Sequence, residues 1–156
     1  VEDISLNVRF EKNIIDEILN IEPYDYILKI PTLVSLNYID ELKIIVEDAE
    51  HILKIDEDNF KINSKSIKKD KFKEYYSDII GVILTGEISD SSKLKENREP
   101  ALSIQFYRKS YNASDIEIVY YPYDENNMSV SVNGQEKFLV DNENIQYLLN
   151  KIKEEF

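Results

Sequence analysis

The sequence predicts a single α+β domain, an antiparallel β-sheet with helices packed on one face, and three observations carry that reading. Residues 116–123 and 128–132 alternate apolar and polar side chains at period two, as half-buried strands do. Two other stretches, around 69–80 and 142–152, repeat apolar residues every three or four positions, as helices lying on a sheet do. The 156 residues are 42% hydrophobic and 32% charged, which is enough apolar content to bury one core without metals or disulfides.

Taken in order, Ile4, Leu6, Val8 and Phe10 alternate and predict a strand over 1–10. Ile14, Ile15, Ile18 and Leu19, with Asp16 and Glu17 early, predict a short helix over 13–20 that Pro23 ends. Residues 24–37, apolar and interrupted by Pro31, predict a packed loop with a helical turn. Leu42, Ile44 and Val46 alternate, 47–50 turn, and 52–55 and 60–62 resume, so strands are expected here. A helix over 40–55 is the rival, because Leu42, Ile45 and Val46 also fit period 3.6.

A helix over 69–80 follows, with Phe72, Tyr75, Tyr76 and Ile79 on one face and Gly81 at its end. A strand over 82–88, a polar exposed loop over 89–100 and a strand over 101–109 lead to the hairpin that starts at Ile116. Asn133-Gly134 suits a type I′ turn, whose two central residues need positive φ. Asp141 offers an N-cap to a closing helix that carries Ile145, Leu148, Leu149 and Ile152 on one face. The two helical patterns superpose at one offset of 73, and each follows a run of short strands. Duplication of a β-hairpin-plus-helix unit, with halves near 40–90 and 100–156, would produce this. Chance likeness between two amphipathic helices is the alternative.

Charge narrows the partners. A net charge of −12 disfavours nucleic acid and anionic membranes, which bind through clustered Lys and Arg. The local exception, Lys65, Lys68, Lys69, Lys71 and Lys73, reads as the solvated face of a helix start. No run of apolar residues is long enough to span a bilayer, so this segment is not expected to insert. The chain begins at Val1, which leads us to expect that a signal peptide or membrane anchor has been removed; trimming of the chain is the bland alternative.

Catalytic and metal signatures fail one by one. Without cysteine there is no thiol nucleophile or cysteine metal site. Asp56-Glu57-Asp58-Asn59 starts like a calcium loop, but Lys61 stands where Gly is needed and Ile67 where the bidentate Glu is needed. His51 is the only histidine and reads as a surface residue beside Glu50. Ser66-x-x-Lys69 and Ser92-x-x-Lys95 lack the K-T-G element that gives such a pattern meaning. No catalytic residue, cofactor or metal site is therefore expected.

Eleven tyrosines remain to be explained, and Tyr107, Tyr111, Tyr120, Tyr121 and Tyr123 crowd into one hairpin. Strand preference and cross-strand aromatic pairing account for most of this. The sharper reading is a binding face of Tyr107, Tyr111, Tyr121 and Tyr123, because tyrosine gives large contact area at low entropic cost.

The segments FKEYYSDIIGVILTGEIS (72–89), LSIQF (102–106) and IVYYPYDENNMSVSVNGQEKFLV (118–140), with the helix after them, resemble the bacterial domain-of-unknown-function 4340 family. The resemblance extends from about Tyr38 onward, and Met128 departs from it where similar sequences often carry an aromatic residue. It implies an extracytoplasmic module, associated with the cell envelope through an N-terminal tether and often encoded near ABC transporter components, including gliding-motility auxiliaries. It supplies no catalytic residues. The expected function is thus a non-catalytic binding or scaffolding module, an accessory to a membrane transporter with a protein partner at the envelope. A soluble ligand- or peptide-binding domain using the tyrosine face is the alternative, and an enzyme without recognisable motif comes third.

Overall fold

The computed structural model describes residues 24, 27–94, 97–109 and 114–156. The strand expected over 1–10 and the helix over 13–20 lie outside these residues. Among the described residues, nine strands and two α-helices follow in the order β1 (Ile39–Val46), β2 (Ala49–Asp56), β3 (Asn59–Ile62), β4 (Lys65–Ile67), α1 (Lys69–Ile80), β5 (Leu84–Glu87), β6 (Leu102–Arg108), β7 (Ile116–Pro122), β8 (Asn127–Val132), β9 (Gln135–Asp141) and α2 (Asn142–Glu155). All nine strands form one sheet in the order β4-β3-β2-β1-β6-β7-β8-β9-β5, antiparallel at every pairing. The α+β class with helices packed on the sheet is as the sequence predicts.

Residues 40–55 are strand. Glu47 and Asp48 both adopt positive φ, which folds Val46 directly onto Ala49 in a two-residue turn that no helix could contain. Gly81 closes α1, as expected. Its φ is −82°, outside the left-handed region, and a Cβ there would lie 2.7 Å from the Ser77 carbonyl oxygen. The glycine answers a close approach rather than a backbone twist. β4 falls in the basic run expected to be a helix start; with Ile67 its one apolar residue, alternation could not mark it.

The chain is laid out as two successive units with the same element order, a four-stranded meander followed by a helix: β1–β4 with α1, and β6–β9 with α2. β5 leaves the first unit and pairs with β9 at the far edge. The units meet where β1 pairs with β6, with Leu42 opposite Phe106 and Ile44 opposite Ile104, all fully buried. An offset of 62 exchanges these two pairs with each other, so the register itself has two-fold character.

Two turns repeat in detail. Asn63 in the β3–β4 turn has φ +47°; its amide donates to Ile52 O at 2.9 Å, and its Oδ1 accepts from Ile52 N at 2.9 Å. Asn133 in the β8–β9 turn has φ +51°; its amide donates to Glu117 O at 2.9 Å, and its Oδ1 accepts from Glu117 N at 2.8 Å. Each asparagine tolerates the left-handed turn and ties it to the next strand but one. Asp78 and Lys151, 73 positions apart, occupy equivalent places and join the two helices at 2.5 Å.

Both helices cover the same sheet face. α1 buries Phe72, Tyr75, Tyr76 and Ile79, and α2 buries Ile145, Leu148, Leu149 and Ile152. Beneath them lie Leu53, Ile55, Phe60, Ile62, Ile118, Tyr120, Val130 and Val140, with Phe60 and Phe72 ring centroids 4.9 Å apart. The helices run antiparallel, since Lys71 and Tyr75 meet Glu155 while Glu74 and Asp78 meet Lys151. Such half-exposed ion pairs contribute about 0–1 kcal/mol each, whereas removing one core Leu or Phe side chain costs about 2–5 kcal/mol. Packing therefore holds the helices, and the charges between them add little.

If the two turns are equivalent, Asn63→Ala and Asn133→Ala should each destabilise by about 1–3 kcal/mol through a lost hydrogen bond and a strained positive φ, with Asn63→Ala the costlier because its Nδ2 also donates to Phe156 O at 2.9 Å. Chemical denaturation checks this, and a cost confined to one of the two would show that the turns are not equivalent.

Candidate functional site

The sheet face opposite the helices divides into two unlike halves. In the second unit Ser103, Val119, Ser129 and Ser131 point away from the helices yet are buried. In the first unit every residue on that face, including Glu41, Lys43, Ile45, Ile52, Lys54, Asp56 and Lys61, keeps solvent contact.

The difference comes from the segment between β5 and β6, whose described residues, 88–94 and 97–101, lie over β9, β8 and β7 as a strap. Its ends are bonded to the sheet by Ile88 N to Lys137 O and Ala101 N to Tyr120 O, both 2.9 Å. Arg98 Nη2 donates to both Glu136 carboxylate oxygens at 2.7 Å, and Nη1 donates to Ser129 Oγ at 3.0 Å. The Arg98 guanidinium also stacks 4.7 Å from the Tyr121 ring centre, and its side chain is 13% exposed. Lys93 lies 5.0 Å from the Tyr123 ring centre and 3.7 Å from Asp124. Tyr123 Oη donates to Asp90 O at 3.1 Å, while Asp90 caps a 3₁₀ turn at Ser91–Lys93. The loop over 89–100, expected to be simply exposed, is in part a fastened cover.

This fastening splits the tyrosine face that the sequence led us to expect. Tyr121 and Tyr123 are half-buried beneath Arg98 and Lys93 of the strap. Tyr107 sits at the other end of β6, opposite Glu41, and donates to Gln105 Oε1 at 2.8 Å. Tyr111 lies outside the described residues. The described tyrosines that are well exposed are Tyr38 at 66% and Tyr147 at 62%, neither of them in that set. Alternation along β7 does put Tyr121 and Tyr123 on one face, but their contacts depend on a partner 23 to 30 residues earlier.

The uncovered half contains a hollow of about 720 Å³ lined by Glu41, Glu50, Ile52, Lys54, Asp56, Lys61, Asn63 and Ser64. Its chemistry is largely self-neutralised. Lys43 meets Glu50 at 2.5 Å and Lys54 meets Glu41 at 3.6 Å. The hydrogen bond from Lys43 to Glu50 raises the lysine above its ordinary range. Asp56 makes no ion pair among the described residues, and Ile52 supplies an apolar floor. An ion-paired, partly apolar hollow of this kind suits contact with a polypeptide better than proton transfer to a substrate.

Elsewhere, shifted titratable groups are accounted for by the fold. Hydrogen bonding from Asn127 lowers Asp124, and hydrogen bonding from Ser92 lowers Asp90. Between the helices, Asp78 and then Glu74 hold Lys151 up, while Tyr75 and Lys71 hold Glu155 down. Burial alone raises the Tyr76 and Tyr120 phenols. His51 is half-buried in β2, with Nδ1 3.1 Å from Asn63 Nδ2 and its ring edge-on to Phe156. Among the described residues, no group of three or more His, Asp or Glu is placed to hold a metal ion, and no helix is long and apolar enough to cross a membrane.

Releasing the strap should not unfold the sheet. In Arg98→Ala, thermolysin cleavage before Leu94 should accelerate by about tenfold, equivalent to 1.4 kcal/mol of local opening, with little change in the melting temperature. Unchanged cleavage would show that Arg98 does not hold the strap.

Compared with protein-family models, curated proteins and solved structures, the chain shows no significant match to any.

Proposed function

We propose that this domain is a non-catalytic binding or scaffolding module of a membrane-tethered, extracytoplasmic protein, an accessory to a transporter of the ABC type. The observation that supports a binding role is the uneven treatment of one sheet face. The strap buries the second unit's half, and the first unit's half is left with a large hollow. A nine-stranded sheet presents that hollow mostly on strands, with the β3–β4 turn at its rim, which suits a contact surface that must keep its shape. The likeness to the domain-of-unknown-function 4340 family supports the envelope setting and the transporter association. The tyrosine-face alternative loses its contiguous surface, because Tyr107 stands apart and Tyr121 and Tyr123 are occupied within the chain.

The test is site-specific photo-cross-linking in cells that carry the tethered parent protein. A photoreactive residue at Ile52, in the hollow, should yield a product with an envelope protein. The same residue at Glu143, exposed on the helix side, should not. Equal products at both positions, or none at either, would remove the hollow from consideration as the contact surface.

A further inference from the structure

We infer that a second, apolar hollow beside the β8–β9 turn is the docking surface for the chain's own residues 13–20. This hollow, of about 440 Å³, lies on the helix side of the sheet, away from the one over β1–β3. Leu84, Val130, Val132 and Phe138 form its floor, and the segment 27–31 forms its wall. The second helix does not reach it. α2 starts at the other end of β8, where Asn142 N donates to Asn126 O at 2.8 Å, and runs away to finish against Asn63 of the first unit. The first unit shows the same corner closed. There Ile62, beside the Asn63 turn, is 5% exposed, and Asn63 Nδ2 donates to Phe156 O. The second unit repeats the turn with Val132 beside Asn133, yet Val132 and Phe138 keep solvent contact. The side-chain amide of Asn133, at the rim, donates to no described residue. An aliphatic floor with a donor at its edge suits a length of polypeptide that brings aliphatic side chains and a carbonyl oxygen.

The chain supplies such a length at this place. Its described part enters at the hollow: Tyr24 packs on Phe138 with ring centroids 6.2 Å apart and donates to Leu84 O at 2.7 Å, while Leu84 N donates to Lys29 O at 2.7 Å. Residues 13–20 lie outside the described residues, and Leu19 stands five positions before Tyr24, a span of at most about 17 Å. The sequence there sets Ile14, Ile15, Ile18 and Leu19 at helical spacing. A helix of eight residues is marginal in water and gains its stability from burying such an apolar stripe. Covalent connection favours this occupant over a second copy, because it keeps the local concentration high and spares the approach of two chains that each carry −12. The inference stands apart from the binding role of the open face proposed above.

The test uses the intact chain, methyl-labelled at isoleucine, leucine and valine, and reads nuclear Overhauser contacts. Methyls of Ile14, Ile15, Ile18 or Leu19 should show contacts to those of Val132 and Leu84, on the floor of the hollow. These contacts should arise within one chain, and a mixture of labelled and unlabelled protein should show none between chains. In a chain carrying both Ile15→Glu and Ile18→Glu the contacts should be lost and the Val132 methyls should shift. The methyls of Ile62, at the equivalent corner of the first unit, should stay in place and so report that the fold is kept. No contacts in the wild type, contacts from residues 13–20 to some other surface, or an unmoved Val132 in the variant would each overturn the inference. Contacts seen only between chains would overturn it too, and would make a second copy the occupant.

Discussion

The antiparallel seam between β1 and β6 is the contact on which the other features depend. Each unit alone would be a four-stranded sheet with one long hydrophobic edge, and such an edge invites uncontrolled pairing. Joining β1 to β6 removes both edges at once and buries Leu42, Ile44, Ile104 and Phe106 completely. The seam also brings α1 and α2 side by side, so that one apolar layer serves both units and Asp78 can reach Lys151. With the units fused, the connection between them must travel from the far edge at β5 back to the centre at β6. That journey creates the strap, and the strap makes the two halves of the open face different.

Alternation and helical periodicity made most of the elements legible. The strands β1, β6, β7 and β8 alternate clearly, and the extents of both helices follow their apolar stripes. Asn133-Gly134 announced its turn through glycine, whereas Asn63-Ser64 makes the corresponding turn without one and passed as ordinary polar sequence. β4 was invisible because a three-residue strand with one apolar side chain has no period to detect. The repeat was visible only as an offset between helices; its strand offsets differ because the second unit has longer loops, which blurs any fixed period.

The candidate site was far less legible. Arg98 lies in a polar stretch, and nothing in its spacing marks it as the residue that engages Tyr121, Ser129 and Glu136, which stand on three different strands or their ends. Crowded tyrosines point to contacts for a sound reason, since rings do favour cations and partners. Two of them serve that purpose within the chain. The hollow over β1–β3 was unreadable, because its residues are the polar positions of ordinary alternating strands and become a surface only where the strap ends.

The central claim is that the β1–β6 seam makes the two units one cooperative body. Native-state hydrogen exchange, followed residue by residue in increasing denaturant, tests it most directly. If the claim holds, the slowest amides of β1, β2, β6 and β7 will converge on a single opening free energy equal to that of global unfolding. If β1–β4 with α1 instead open at a distinctly lower free energy than β6–β9 with α2, the units are separable and the account of the seam is wrong.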